Sequence, residues 1–168
     1  DILAEPFLFE SFLENIVELF SVSSKEKKIR FIYNPDRILP YSLISDSIRL
    51  QQILSNLLSN AIKFTPNNGE IIFTVKVLEK INNKIKIKFS IKDTGIGMSL
   101  EQQKIVFNPF SQADDGISRK FGGTGLGLSI CSDIIRLMNS RIELASTLNE
   151  GSEFNFTLDF EIDKYDNE

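Results

Sequence analysis

The sequence predicts an α/β fold: a two-layer sandwich in which a mixed sheet of about five strands is covered on one face by three helices. Three observations carry the prediction. Segments with apolar residues at helical spacing are interleaved with segments that alternate apolar and polar residues. The alternation leaves every second strand position polar, so one face of the sheet is wet and the other must meet the helices. The length, 168 residues of which 42% are hydrophobic, is that of one domain with one core. Residues 1–168 are therefore read as a single domain, and 14 Phe with no Trp predict a core built largely of Phe, Ile and Leu.

The first helix is read over residues 6–26. Pro6 is placed in its first turn, and Phe9, Phe12, Leu13, Ile16, Val17, Leu19 and Phe20 follow at helical spacing. A short strand follows at Lys28–Tyr33, where Ile29, Phe31 and Tyr33 alternate with their neighbours. Pro35 and Pro40 bracket a loop, and Tyr41–Ser45 is a further short strand. Asp46–Phe64 is the clearest helix. Asp46 or Ser47 caps its start, Leu50, Ile53, Leu54, Leu57, Leu58, Ala61 and Ile62 form its apolar face, and Pro66 with the Asn67-Asn68-Gly69 turn ends it. Ile71, Phe73, Val75 and Val77 alternate in one strand, and Ile85, Ile87, Phe89 and Ile91 in the next, with Asn82-Asn83 as the turn between them. Lys84, Lys86, Lys88, Ser90 and Lys92 fill the wet face of the second strand. Ser99–Phe107 is a short helix capped by Ser99. Asn108–Phe121 keeps no steady period and reads as a mobile loop, and Thr124–Met138 is the third long helix. Strands at Arg141–Ser146 and Ser152–Phe160, joined by a turn around Gly151, close the fold; residues 161–168 are read as frayed.

Composition narrows the function classes. A formal net charge of -4 without an Arg/Lys block argues against a nucleic-acid-binding face and against a polybasic membrane anchor. No apolar run reaches the length of a membrane span, and no signal-peptide pattern opens the chain. The single cysteine, Cys131, excludes an internal disulfide and a cysteine-based zinc site, and it fits a reducing, cytoplasmic setting. No histidine is present, so histidine catalysis, histidine metal ligands and histidine phosphorylation within these residues are excluded. The sequence opens at Asp1 without Met and is read as a fragment.

Three features can carry chemistry. Asn56 and Asn60 lie four residues apart on one face of the long helix, and Lys63 falls a turn further along nearly the same stripe. Two neutral amides cannot act as nucleophiles, but their carbonyl oxygens suit a hard divalent cation such as Mg²⁺, with phosphate oxygens and waters completing the shell. Lys63 then serves as a point charge against phosphate. Taken alone, the stripe reads better as a solvated polar face. The second feature, Asp93-Thr94-Gly95-Ile96-Gly97, lies at the end of an alternating strand, where a carboxylate can accept from an exocyclic amine and the glycines admit close approach. Alone it is also an ordinary strand-exit turn. The third is Gly122-Gly123-Thr124-Gly125-Leu126-Gly127-Leu128-Ser129-Ile130, which runs directly into a helix and offers backbone N–H groups and a helix N-terminus to an anion. It lacks the Lys-Ser/Thr ending of a P-loop; a flexible hinge is the alternative, and the helix that follows at once favours a phosphate-binding hinge.

In this order, on helix, strand end and loop-to-helix, the three features resemble the histidine kinase branch of the GHKL ATPase superfamily, whose architecture is the Bergerat fold. Asn56–Thr65 resembles the N box, Asp93–Gly97 the G1 box, Phe107–Phe110 the F box and Gly122–Ile130 the G2 box; Gly151-Ser152-Glu153-Phe154 is similar to the closing strand of the family. The likeness runs from about Phe7 to Phe160. It implies an ATP-binding catalytic domain of a two-component sensor histidine kinase, with ATP and Mg²⁺ as cofactors. By resemblance Asn60 is the principal Mg²⁺ ligand with Asn56 in support, Lys63 contacts phosphate, Phe64 flanks the adenine and Asp93 reads its amino group. Gly95 and Gly97 shape the purine pocket, while Gly123, Thr124, Gly125, Leu126 and Gly127 hold the triphosphate and hinge an ATP lid at 108–121. Phe107 and Phe110 anchor that lid, and Arg119 or Lys120 is a candidate for the γ-phosphate.

Two departures from the wider superfamily sharpen the reading. Members that hydrolyse ATP place a Glu where Asn56 stands, and an amide cannot serve as that general base. Gln112, at a lid position where many members carry Arg, resembles the hybrid-type kinases that carry a fused receiver domain. The implied partners are a dimerisation and histidine-phosphoacceptor domain, absent from these residues, and a response-regulator receiver; the fragment itself is expected to be a monomer without nucleic-acid or membrane contact. The rival readings are an ATP-binding module that transfers nothing and a GHKL ATPase that hydrolyses.

Overall fold

The structure, a computed structural model, describes residues 2–108 and 127–164. The described elements are β1 (Glu5–Leu8), α1 (Phe9–Glu26), β2 (Arg30–Pro35), β3 (Ser42–Ser45), α2 (Ser47–Phe64), β4 (Glu70–Ile81), β5 (Lys84–Asp93), α3 (Leu100–Ile105), α4 (Gly127–Leu137), β6 (Glu143–Thr147) and β7 (Gly151–Ile162). The strands form one mixed sheet in the order β1-β3-β7-β5-β4-β2, with β6 also paired to β7. Only the β2–β4 pair is parallel; the other described pairs are antiparallel. One edge of β7 pairs along its length with β5, and the other is divided between β6 near its start and β3 near its end.

The α/β sandwich stands as expected, but the sheet has seven strands rather than about five. The strand missed in the sequence is β1. Pro6 is not in the first turn of a helix; it lies in this edge strand, where a missing N–H is tolerated, and α1 begins at Phe9. At its far end α1 stops because Lys28 takes a left-handed conformation (φ 60°) while the Ile29 N–H donates to the Ser24 carbonyl at 2.8 Å. Strand β2 therefore begins at Arg30, two residues later than the sequence alternation indicated. Four asparagines, Asn68, Asn82, Asn139 and Asn149, occupy the same left-handed region at turns. Their short amide side chains tolerate it better than most residues do.

The core lies between α1, α2 and α4 and one face of the sheet. Phe9, Phe89, Phe156 and Phe160 are buried and meet as rings 5.0–6.2 Å apart, with Phe89 at the centre of the group. This is the Phe-rich core that composition predicted. On β5 the Ile and Phe positions are buried, while the intervening Lys and Ser positions are half-buried or exposed.

Helix α2 is fixed at both ends by charged side chains. At its start the Asp46 carboxylate accepts from the Arg49 N–H at 3.2 Å, from the Arg49 guanidinium at 3.1 Å and from the Leu3 N–H at 3.0 Å. At its end Lys27 donates its ammonium to the carbonyls of Ile62 (2.7 Å) and Lys63 (2.9 Å), where the helix dipole favours positive charge. These contacts seat the helix that carries the amide stripe.

Candidate functional site

The amide stripe lies on the middle and last turns of α2, with Asn56, Asn60, Lys63 and Phe64 all half-buried. The remaining positions of the helix give the reason. Leu50, Ile53, Leu54, Leu57, Leu58 and Ala61 turn into the core, which leaves the stripe along the edge of the packed face. Asn56 Nδ2 lies 3.5 Å from the carbonyl of Gly127, the first residue of α4. Lys63 Nζ lies 5.9 Å from the centre of the Phe64 ring.

Asp93 closes β5 and is buried. Its Oδ1 accepts the Gly95 N–H at 2.8 Å and the Ser152 N–H at 3.3 Å. Its Oδ2 has no hydrogen-bond partner among the described residues and is not among the sealed polar atoms. One oxygen is thus fixed by the backbone and the other is available to a ligand donor. Burial pushes the Asp93 carboxyl above the usual carboxylate range, against the opposing pull of the Gly95 and Ser152 N–H groups.

The segment after Asp93 is tied to α2 through the main chain. The Ile96 N–H donates to the Phe64 carbonyl at 3.2 Å, and a Cβ on Gly95 would come within 2.4 Å of that same oxygen. Gly97 has φ +65°, and a Cβ there would meet the Thr147 carbonyl at 2.0 Å. Both glycines are required by the protein's own backbone contacts, a stronger constraint than the open approach to a ligand that the sequence suggested. Gly127 differs: a Cβ there would meet no atom of the described residues within 4 Å.

Helix α2 therefore links the three places where the sequence put chemistry: it meets the start of α4 at Asn56 and the Asp93 loop at Phe64. The Phe107 ring packs edge-on against Phe154 at 6.2 Å, close to the closing strand. Phe110, Gln112, Arg119, Lys120, Gly123, Thr124, Gly125 and Leu126 lie outside the described residues, as does the lid segment beyond Asn108.

Two serines to which the sequence assigned no role at the site also bear on it. Ser146 and Ser152 hydroxyls lie 2.8 Å apart beneath the Asp93 loop, and Ser146 also accepts the Met98 N–H at 2.8 Å. No sequence signal marks Ser146, because a Ser in a strand is unremarked until its partners are known. Cys131 is buried; burial pushes its thiol up to about 11, with the neighbouring Asn56 amide pulling the other way. A cavity of about 510 Å³ opens elsewhere, lined by Leu78, Lys88, Arg141, Glu143, Asn155 and others; it contains none of the motif residues and mixes charges of both signs.

Comparison with known proteins places these features. The family model described as "Histidine kinase-, DNA gyrase B-, and HSP90-like ATPase" matches residues 45–162. Signal transduction histidine-protein kinase BarA of Escherichia coli (strain K12) is 41% identical over 157 residues, which is 94% of this chain and 17% of that protein. Hybrid signal transduction histidine kinase F of Dictyostelium discoideum is 41% identical over 156 residues, covering 92% of this chain and 14% of that protein. Full-length ShkA in complex with AMPPNP superposes with a TM-score of 0.80 at 31% identity, over 97% of this chain and 32% of that one. The chain thus spans less than a fifth of the length of these curated relatives.

Proposed function

The chain belongs to the family of histidine kinase-, DNA gyrase B- and HSP90-like ATPases, and from that premise we propose that it is the ATP-binding catalytic domain of a two-component sensor histidine kinase. In this reading it holds Mg-ATP and donates the γ-phosphoryl group to a histidine on a separate helical domain. The observation that carries the proposal is the buried Asp93 carboxylate, held by two backbone N–H groups at Oδ1 and open at Oδ2, beside the half-buried amide stripe of α2.

The residues fit the ligand. Asp93 Oδ2 accepts from the adenine amino group, and Phe64 flanks the ring. Asn60 offers its amide oxygen toward Mg²⁺ with Asn56 in support, a neutral oxygen set suited to a hard cation already shared with phosphate. Lys63 supplies positive charge toward the phosphates. Gly127 and the glycine-rich residues before it hold the triphosphate, the segment 108–121 forms the lid with Phe107 at its root, and Arg119 or Lys120 meets the γ-phosphate.

Bound Mg-ATP supplies the group to be transferred, so the protein's part is positioning and charge neutralisation. Asn56 cannot take a proton from water, which disfavours hydrolysis. The chain has no histidine, so the nucleophile comes from a phosphoacceptor domain, and the phosphoryl group passes on to a receiver domain of the hybrid type.

The test supplies Mg-ATP and a separately expressed acceptor hairpin. Acid-labile phosphorylation of the acceptor, lost in Asn60→Ala, is the expected result. Tight ATP binding without transfer would instead support a binding module. Steady phosphate release abolished by Asn56→Ala would support a hydrolytic ATPase.

A further inference from the structure

We propose that Ser146 is a positioning residue that fixes the hydrogen-bond polarity of the purine pocket and thereby favours a 6-amino purine over a 6-oxo purine. The inference rests on the nucleotide reading above and adds to it a residue that does not touch the nucleotide.

Ser146 Oγ has three polar contacts: the Met98 N–H at 2.8 Å, the Gly151 carbonyl at 3.0 Å and Ser152 Oγ at 2.8 Å. A hydroxyl has one hydrogen and two lone pairs. The Met98 N–H uses one lone pair. The Gly151 carbonyl has no hydrogen, so that contact is a hydrogen bond only when Ser146 donates. With its one hydrogen committed, Ser146 can bond to Ser152 only by accepting, and Ser152 is the donor. The opposite arrangement sets two oxygen lone pairs against each other across 3.0 Å in a part-buried site and forfeits that hydrogen bond.

Ser152 is the cross-strand partner of Asp93, so the two side chains stand on the same face of the sheet. Its hydrogen is directed at Ser146, which leaves lone pairs as the only polar feature of its hydroxyl on the Asp93 side. Its own N–H already donates to Asp93 Oδ1. The polar floor of the pocket is then made of acceptors, Asp93 Oδ2 and Ser152 Oγ. An exocyclic amine supplies hydrogens to them, whereas an oxo group at the same position brings a third acceptor. Gln103 stabilises the arrangement by donating its side-chain amide to the carbonyls of Met98 (3.0 Å) and Ser146 (3.1 Å), which holds the two strands of contact in register.

The experiment compares ADP with inosine diphosphate, which differs at the 6-position, by titration calorimetry on the chain and its variants. Ser146→Ala frees the Ser152 hydroxyl to rotate and donate toward the pocket. The preference for ADP over inosine diphosphate should then fall roughly five- to tenfold, the worth of one hydrogen bond. Ser146→Thr keeps the hydroxyl on a strand-compatible side chain and should keep the preference. Ser146→Cys retains the shape with weaker hydrogen bonding; its preference should lie between the two, and it serves if the alanine variant does not fold. Equal loss of affinity for both nucleotides, with the preference unchanged in the Ala or Cys variant, would mark Ser146 as merely structural and overturn the proposal. Failure of the unaltered chain to bind ADP would overturn the nucleotide reading itself, a distinct result that removes this inference with it.

Discussion

Replacing Asp93 by Asn separates the binding role of this carboxylate from its effect on the fold. In the structure Oδ1 takes the Gly95 and Ser152 N–H groups at 2.8 and 3.3 Å. Those two donors force the orientation of an introduced amide: its oxygen must face them, and its NH₂ group takes the place of Oδ2. The position that accepted from the ligand now presents hydrogens to the ligand's own amine. A hydrogen bond to a charged group contributes about 1.5–3 kcal/mol, so ADP affinity should fall roughly 10- to 150-fold. Stability should move the other way. The carboxyl is raised in the folded state by burial, so its contribution favours folding below the unfolded pKa and is lost as pH rises through the folded one. At pH 7 the ionised group is a net cost that the amide does not carry. The variant should therefore be at least as stable as the parent at pH 7, with its advantage disappearing below the ordinary carboxyl value of 3.8. Titration calorimetry with ADP and guanidinium unfolding at neutral and acid pH read the two effects. Unchanged ADP affinity, or a stability loss that is larger at pH 7 than in acid, would refute the reasoning.

Three further outcomes follow from contacts already described. Gly95→Ala drives a Cβ against the Phe64 backbone, with 2.4 Å to the carbonyl oxygen, and should lower unfolding stability by about 1–3 kcal/mol together with nucleotide affinity; a variant as stable as the parent would contradict the close approach. Asp46→Ala removes the N-cap of α2 and the anchor of Leu3, and should cost about 1–2 kcal/mol in denaturant unfolding, with faster hydrogen exchange at the Leu3 amide. Cys131, buried and with its thiol pushed up to about 11, should resist a thiol reagent at pH 8 in the native protein and react fully once unfolded; rapid native reaction would mean the site opens.

The parts of the fold with long, regular patterns were legible in the sequence. Helix α2 and strands β5 and β7 each bury alternate or helically spaced residues over about ten positions, and β4 does so over its first half, so their pattern outweighs local noise. Strand β1 was not legible: it has four residues with only Phe7 half-buried, and Pro6 imitates a helix start. The start of β2 was placed two residues early because Lys28 has no residue-type signal for its left-handed backbone. At the site, residue identity pointed to Asp93 and the amide stripe, since carboxylates and amides declare their chemistry. The roles of Gly95 and Gly97 were only half visible: their freedom was evident, but what presses on them is the Phe64 and Thr147 backbone, which no local sequence contains. Ser146 was invisible for the same reason, as its partners Met98, Gly151 and Ser152 are assembled only by the β6–β7 hairpin and the Asp93 loop.

The bond from the Ile96 N–H to the Phe64 carbonyl has a consequence for how this site can change over generations. It joins the helix with the amide stripe to the loop with the carboxylate using main-chain atoms alone. Exchanging a surface side chain near the junction leaves this main-chain bond in place. A library randomised over the exposed turn residues 66–68 would sample new surfaces beside this bond, whereas a Cβ at Gly95, within 2.4 Å of the Phe64 carbonyl, would force the two halves apart. The geometry is thus heritable in a sense separate from the sequence, which accords with relatives that share about two residues in five with this chain while aligning over nearly all of it.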